Sequence, residues 1–168
     1  MSESTILTKE LQKAKPDVVA MLPYVGNKVL LQLRDEKPNI VFPGKWGFFS
    51  GSIEPGELPE SAARRELSEE LEYTPSQLIK LSTEFMMEEG RLSHVYYCPL
   101  EVPVEKIILH EGMDFGLFSW EEIVSKKLYS PKMRKSYPVI DTPFVFTMIQ
   151  RVLEKISSRN VHLKKVDP

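Results

Sequence analysis

The decisive stretch is Gly51–Tyr73, GSIEPGELPESAARRELSEELEY. Pro55-Gly56 is a turn signal, Pro59 suits a first helical turn, and residues 59 to 72 hold no further Pro or Gly and many strong helix formers. The composition predicts a helix starting near Leu58. At about 100° per residue, Ala63, Leu67 and Leu71 share one stripe, while Glu66, Glu69 and Glu70 gather on a neighbouring face at spacings of three and four. Three carboxylates thus line the edge of the buried face. Like charges at that spacing repel by a few tenths of a kcal/mol per pair on an exposed helix, which a cation would relieve. Oxygen ligands of this kind suit Mg²⁺ or Mn²⁺, and Mg²⁺ commonly takes its remaining ligands from water and substrate phosphates. On these residues alone two readings stand: a cation site serving a polyphosphate substrate, or a solvated helix in which Arg64 and Arg65 offset the acids.

The upstream residues bear on that choice. Five residues separate Gly51 from Glu57, and seven more lead to Arg65-Glu66-Leu67-Ser68-Glu69-Glu70. This pattern resembles the signature of the Nudix hydrolases, the family of MutT-like phosphohydrolases: Gly, five residues, Glu, seven residues, then Arg-Glu-apolar-x-Glu-Glu-x-Gly-apolar. It matches at each defined position except Glu72, which stands where the family usually has Gly. A glutamate in a left-handed helix end costs roughly 1 kcal/mol, so a differently terminated helix is expected. The approach to the box, WGFFSG, is similar to the family's Trp-x-Phe-Pro-Gly-Gly, with Trp46, Phe48 and Gly51 matching, Phe49 in place of Pro and Ser50 in place of the first Gly.

The resemblance implies an α+β fold, the Nudix-type α/β/α sandwich with a mixed β-sheet between helices. It also implies a metal-dependent hydrolase that cleaves the phosphoanhydride of a nucleoside diphosphate linked to another moiety, such as a nucleoside triphosphate (oxidised ones included) or a nucleotide sugar. Water would attack phosphorus. Mg²⁺, with Mn²⁺ as the alternative, would be held by Glu66, Glu69 and Glu70 and by the Ser50 carbonyl, which survives the change of side chain. Glu66, Glu69 and Glu111 are the candidate catalytic acids; Glu66 and Glu111 compete for the role of general base, a question of geometry. Glu57 and Arg65 would fix the loop after Gly51 against the helix by an ion pair. Trp46 and Phe48 are candidates for substrate contact. Arg34 is either a phosphate or nucleotide contact in a cleft or a solvated arginine at a strand end. Downstream of the box, where family subgroups acting on ADP-ribose or dinucleoside polyphosphates carry a Pro or a Tyr, this chain has Glu88 and Glu89-Gly90-Arg91. A Nudix-fold nucleotide sensor without turnover and an RNA-cap hydrolase are the alternatives. An intact acidic block speaks against the sensor.

Around this centre the 168 residues predict a single domain, with a core over about 16–157, a polar N-terminal arm and a short C-terminal tail. Hydrophobic content of 42%, charged content of 27% and a net charge of -2 describe an ordinary globular protein without the field that would draw it to DNA or to an anionic membrane. One cysteine, Cys98, and the absence of a signal-like or membrane-spanning apolar run suggest a cytoplasmic protein. The partner implied is a small nucleotide; a homodimer is common in the family.

Taken in order, residues 1 to 14 are a short helix or a loose arm, and DVVAMLP (17–23) and KVLLQLR (28–34) form a hairpin across Gly26-Asn27. The period of two puts Leu31 and Leu33 on one face and Gln32 and Arg34 on the other. After the box, LIKLSTEFMMEE and LSHVYYCPLEV pair as strands around Gly90-Arg91, EKIILHEG (105–112) forms another strand, and FGLFSW a further one that leads into a helix near Trp120. Glu111 and Asp114 are the carboxylates outside the box on this path. KKLYSPKMRKSYP (126–138), with five cationic residues, reads as a solvated loop, with a polyphosphate or RNA grip as the alternative. Thr142 caps a last helix with Pro143 at its first position, ending at Ser157-Ser158-Arg159-Asn160 before a frayed tail of eight residues.

Overall fold

A computed structural model describes residues 15–163. The residue 1–14 arm and the last five residues of the tail lie outside that range. The hairpin forms as its sequence directs. Strand β1 (Val18–Val25) turns at Gly26-Asn27 into β2 (Lys28–Leu33), with Tyr24 opposite Val29. The approach to the box supplies β3 (Trp46–Gly47), paired to β2, and β4 (Phe49–Ser52), paired to the first half of β1. Helix α1 (Pro59–Leu71) follows, then β5 (Ile79–Met86) and β6 (Arg91–Pro99) as an antiparallel pair. Strand β6 lies parallel to β1, and β7 (Asp114–Phe118) closes the far side antiparallel to β2. The result is a mixed seven-stranded sheet ordered β3-β2-β1-β6-β5, with β4 and β7 attached to β1 and β2.

Alternation along the central strands loads both faces of this sheet. Val19, Met21, Leu30 and Phe49 point to one side, where Ala62, Ala63, Leu67 and Leu71 of α1 meet them. Ala20, Leu22, Leu31 and Leu33 point to the other, against Val145, Ile149, Val152 and Ile156 of the long C-terminal helix. The protein is therefore an α+β sandwich with helices on both faces of a mixed sheet.

Four expectations need correction. Residues 105–112 do not form a strand. A single 3₁₀ turn (Val104–Lys106) is followed by irregular chain whose backbone is drawn to the site: His110 N–H donates to the Glu70 carbonyl at 2.8 Å and Met113 N–H to Leu33 O at 2.8 Å. The 126–138 tract is no loop. After the short helix α2 (Trp120–Ile123), it forms a two-stranded hairpin of β8 (Lys127–Ser130) and β9 (Lys135–Pro138), with Leu128 and Ser130 buried and Lys127 and Tyr129 exposed. The last helix, α3 (Pro143–Leu163), does start on Thr142, whose Oγ1 accepts from Val145 N–H at 3.3 Å, but it continues through residues 157–160 to Leu163. Finally, α1 ends in the ordinary left-handed manner in spite of Glu72. That residue takes φ 49° and ψ 33°, its N–H bonds Ser68 O at 3.0 Å, and its carboxylate lies 2.6 Å from His110 Nε2. Among the described residues, no helix is long and apolar enough to cross a membrane.

Candidate active site

The loop from Gly51 to Leu58 is held to α1 by one side chain. Arg65 makes two parallel bonds to Glu57, Nε to Oε1 and Nη2 to Oε2, both 3.0 Å, and Nη2 also reaches the Ser52 carbonyl at 3.0 Å. A planar guanidinium suits this fork, which a lysine could not reproduce. Glu57 is in turn fixed by Glu54 N–H at 3.0 Å, and its carboxyl is held below the usual range chiefly by the Arg65 bond. The ion pair that the family resemblance implied is present. Arg65 Nη1 also takes Glu66 at 2.8 Å and Glu69 at 3.2 Å, so one cation organises three of the four box acids.

Gly51 sits where the sheet and α1 come closest. A Cβ built there would fall inside the Glu66 carboxylate, so this position demands glycine for room rather than for backbone freedom. Glu66 is in consequence half-buried against β4. Burial pushes its carboxyl above the ordinary value, with Arg65 opposing.

Glu70 is the most constrained acid, 3% exposed. Gln32 Nε2 donates to its Oε2 at 2.8 Å and to the Glu111 carbonyl at 2.9 Å, clamping α1 and the 107–113 segment together. The other oxygen, Oε1, is buried with no hydrogen-bond partner among the described residues. Burial, with Glu111 and Glu66 adding to it, pushes this carboxyl up to about 8, while Gln32 and Arg34 pull the other way. A buried acid with one unused oxygen is costly unless a proton or a cation occupies it. The sequence reading missed Gln32. Its signal was a polar residue in an otherwise apolar strand, on the face that also carries Leu30.

The other candidates divide. Glu69 is largely exposed and turned to Arg65. Glu111 is exposed, brought near Glu70 and Glu66 by the irregular segment. Asp114 is buried and structural, accepting from Ser130 Oγ and from the N–H groups of Phe115 and Lys132. Trp46 is not brought to the site. It is fully buried, its indole N–H bonded to Leu128 O at 3.1 Å and its ring edge-on to Phe118. Phe48, Ser50 and Arg34 instead line a cavity of about 480 Å³ walled by Ile140, Phe144 and Val145. Arg34 links this cavity to the carboxylates, lining the one and lying close enough to Glu70 to act on its charge. The basic hairpin is partly neutralised: Lys126 pairs with Asp141 at 2.8 Å, and Lys135 lies over Tyr137.

The profile of the NUDIX domain matches residues 14–140. The chain belongs to the Nudix family. A 46-residue segment is 46% identical to the nucleoside triphosphatase NudI of Escherichia coli O1:K1 / APEC, covering 27% of this chain and 31% of that protein, so the chain matches less than a third of its curated relative's length. Among solved structures, the NUDIX domain of Shewanella oneidensis NrtR complexed with ADP ribose superposes with a TM-score of 0.62 at 19% identity, over 93% of this chain and 99% of that one. A C. elegans Ap4A hydrolase in a binary complex gives 0.63 at 20% identity, over 84% and 99%. At such identities the two structures speak for the Nudix fold alone.

Among the described residues, no three acidic, His or Cys side chains stand together as a ready-made metal site, and Glu66 and Glu69 are both engaged by Arg65. The donors nevertheless fit a divalent cation. Glu70 Oε1 is buried and unpartnered, Glu66 is seated against Gly51 beside it in the fold, and both are hard oxygen ligands.

Proposed function

We propose that this Nudix protein is a hydrolase of nucleoside triphosphates or related nucleoside diphosphate compounds, acting by attack of water on phosphorus. The observation that carries the reading is Glu70: a buried carboxylate with one oxygen oriented by Gln32 and the other unused, next to Glu66 and linked by Arg34 to an aromatic-walled cavity. Glu66, Glu70 and the Ser50 carbonyl would hold Mg²⁺ or Mn²⁺, with Glu69 joining once Arg65 yields it. When bound, the ion supplies charge neutralisation on the diphosphate and a water of lowered pKa.

The chain's own residues do the rest. Arg65 and Glu57 hold the Gly51 loop so that the Ser50 carbonyl and Glu66 keep a fixed separation. Phe48 and Phe144, whose rings meet edge-on at 6.1 Å, give the cavity an aromatic corner in which one ring face is placed to stack on a nucleobase. Arg34, at the cavity and close enough to Glu70 to favour its charge, lies where it can receive a phosphate oxygen. Glu66 or Glu111 takes the proton of the attacking water. The name of the NudI relative supports a triphosphate as the first substrate to try. Buried Cys98, its thiol pushed up to about 12 by burial, makes neither a nucleophile nor a disulfide, which suits a reducing cytoplasm.

The test is hydrolysis of a nucleotide panel in H₂¹⁸O with Mg²⁺ or Mn²⁺. The reading expects ¹⁸O in a phosphate, pyrophosphate or nucleoside phosphate product. Label in a sugar hydroxyl, or no release from any member of the panel, contradicts it.

A further inference from the structure

Phe42, in the loop between β2 and β3, holds a backbone conformation that its sequence resists. Its φ is 54°, in the left-handed region, which a bulky side chain enters rarely and at a cost. Pro43 comes next and biases the residue before it toward extended backbone. Core packing does not offset that strain, because Phe42 belongs to neither hydrophobic cluster and is 36% exposed. Its ring lines the cavity instead, beside Val41, with Lys45 Nζ over it at 5.8 Å. Strain of this kind gathers where a ligand is held.

The loop is tied down on both sides of Phe42. Arg34 N–H donates to the Lys45 carbonyl and Gly44 N–H to the Asp35 carbonyl, both at 3.0 Å, which closes its base. Within the loop, Arg34 Nε donates to the Val41 carbonyl at 2.7 Å. The peptide next to Phe42 thus sets the direction of the guanidinium that lines the cavity.

We propose that Phe42 is a substrate-binding residue whose ring stacks on the nucleobase, carried by the same loop that aims Arg34 at the phosphates. This rests on the nucleotide reading above. The strained backbone places the ring at the cavity before substrate arrives, so less freedom is lost on binding. Phe42 then adds to the corner made by Phe48 and Phe144 a ring from a separate element. Every base has a face to stack, so the contact raises affinity for nucleotides in general and selects none of the four bases.

The experiment measures kcat and KM for ATP, GTP, CTP and UTP in the wild type, Phe42→Ala, Phe42→Gly and Phe42→Tyr, with thermal unfolding of each. Phe42→Ala and Phe42→Gly are expected to raise KM about tenfold for each triphosphate the wild type hydrolyses, with kcat within about threefold. Phe42→Tyr, which keeps a ring, stays within about threefold of the wild-type KM. Glycine fits the left-handed backbone and alanine does not, so Phe42→Gly unfolds at a higher temperature than Phe42→Ala. That pair separates ring from backbone. A wild-type KM in Phe42→Gly, or a KM raised as much by Phe42→Tyr as by Phe42→Ala, overturns the assignment while leaving the hydrolase intact. Failure of the wild type to hydrolyse any of the four overturns the nucleoside triphosphate reading itself, and this inference with it.

Discussion

Gln32 is the residue that most changes the picture of the site. Its amide bridges Glu70 and the Glu111 carbonyl, so Gln32→Leu leaves Glu70 Oε2 without a donor and removes one of the bonds that hold the 107–113 segment. Partners of this kind typically contribute 10–100-fold in metal affinity. Titration of Mn²⁺ followed by electron paramagnetic resonance should show a loss of about that size, with the fold intact by circular dichroism. At Gly51, an added methyl must displace the Glu66 carboxylate, and a misplacement of about 1 Å costs on the order of a hundredfold in rate. Gly51→Ala should therefore lose about that much kcat and little stability.

The same scale gives a pH dependence. In metal-free protein Glu70 holds its proton up to about 8, whereas in the unfolded chain a glutamate releases it near 4.5. Between those values the folded state binds more protons than the unfolded one, so stability falls as pH rises from about 4.5 to about 8, by at most about 1.4 kcal/mol per unit. Above about 8 the slope vanishes. Urea midpoints measured across pH in a chelator should show this decline, and Glu70→Gln should flatten it.

At the scale of elements, α1 and its loop were legible because their determinants are local. Gly51, Glu57 and Arg65 lie within 15 residues of one another, and the stripe of Ala63, Leu67 and Leu71 is buried as its period requires. Gln32 stands 38 residues from Glu70, and only the sheet brings them together. The 105–112 run has the composition of a strand, but the chain here is drawn to α1 and β2 instead, by His110 N–H to the Glu70 carbonyl and, just beyond it, Met113 N–H to the Leu33 carbonyl. The basic tract hid a hairpin because its alternation, Leu128 and Ser130 in with Lys127 and Tyr129 out, is masked by charge. Glu72 was misjudged because its strain is met across the fold by His110. Glu72→Gly should relieve roughly 1 kcal/mol of left-handed strain while losing that contact and gaining chain entropy in the unfolded state. Turnover within a few fold of wild type, with an unfolding midpoint nearly unchanged, is the expected result; a large gain in rate would mean that the departure from the family pattern had crippled the site.

For the molecule as a whole, the sheet is a partition between two tasks. One face and α1 carry the carboxylates; the other, with α3, shapes the cavity through Phe144 and Val145. Ser50 and Gly51, consecutive on β4, join the two sides. Ile149, fully buried under the sheet, should cost about 2–5 kcal/mol when cut to Ala, seen as a lowered unfolding midpoint. The central claim, that Glu70 completes a cation site for phosphoanhydride hydrolysis, is tested most directly by phosphate and pyrophosphate release from nucleoside triphosphates, nucleotide sugars and dinucleotides, wild type beside Glu70→Gln, with Mg²⁺ or Mn²⁺. The account predicts release from at least one substrate and a loss of at least about a hundredfold in the variant. Equal rates in the two proteins would contradict it.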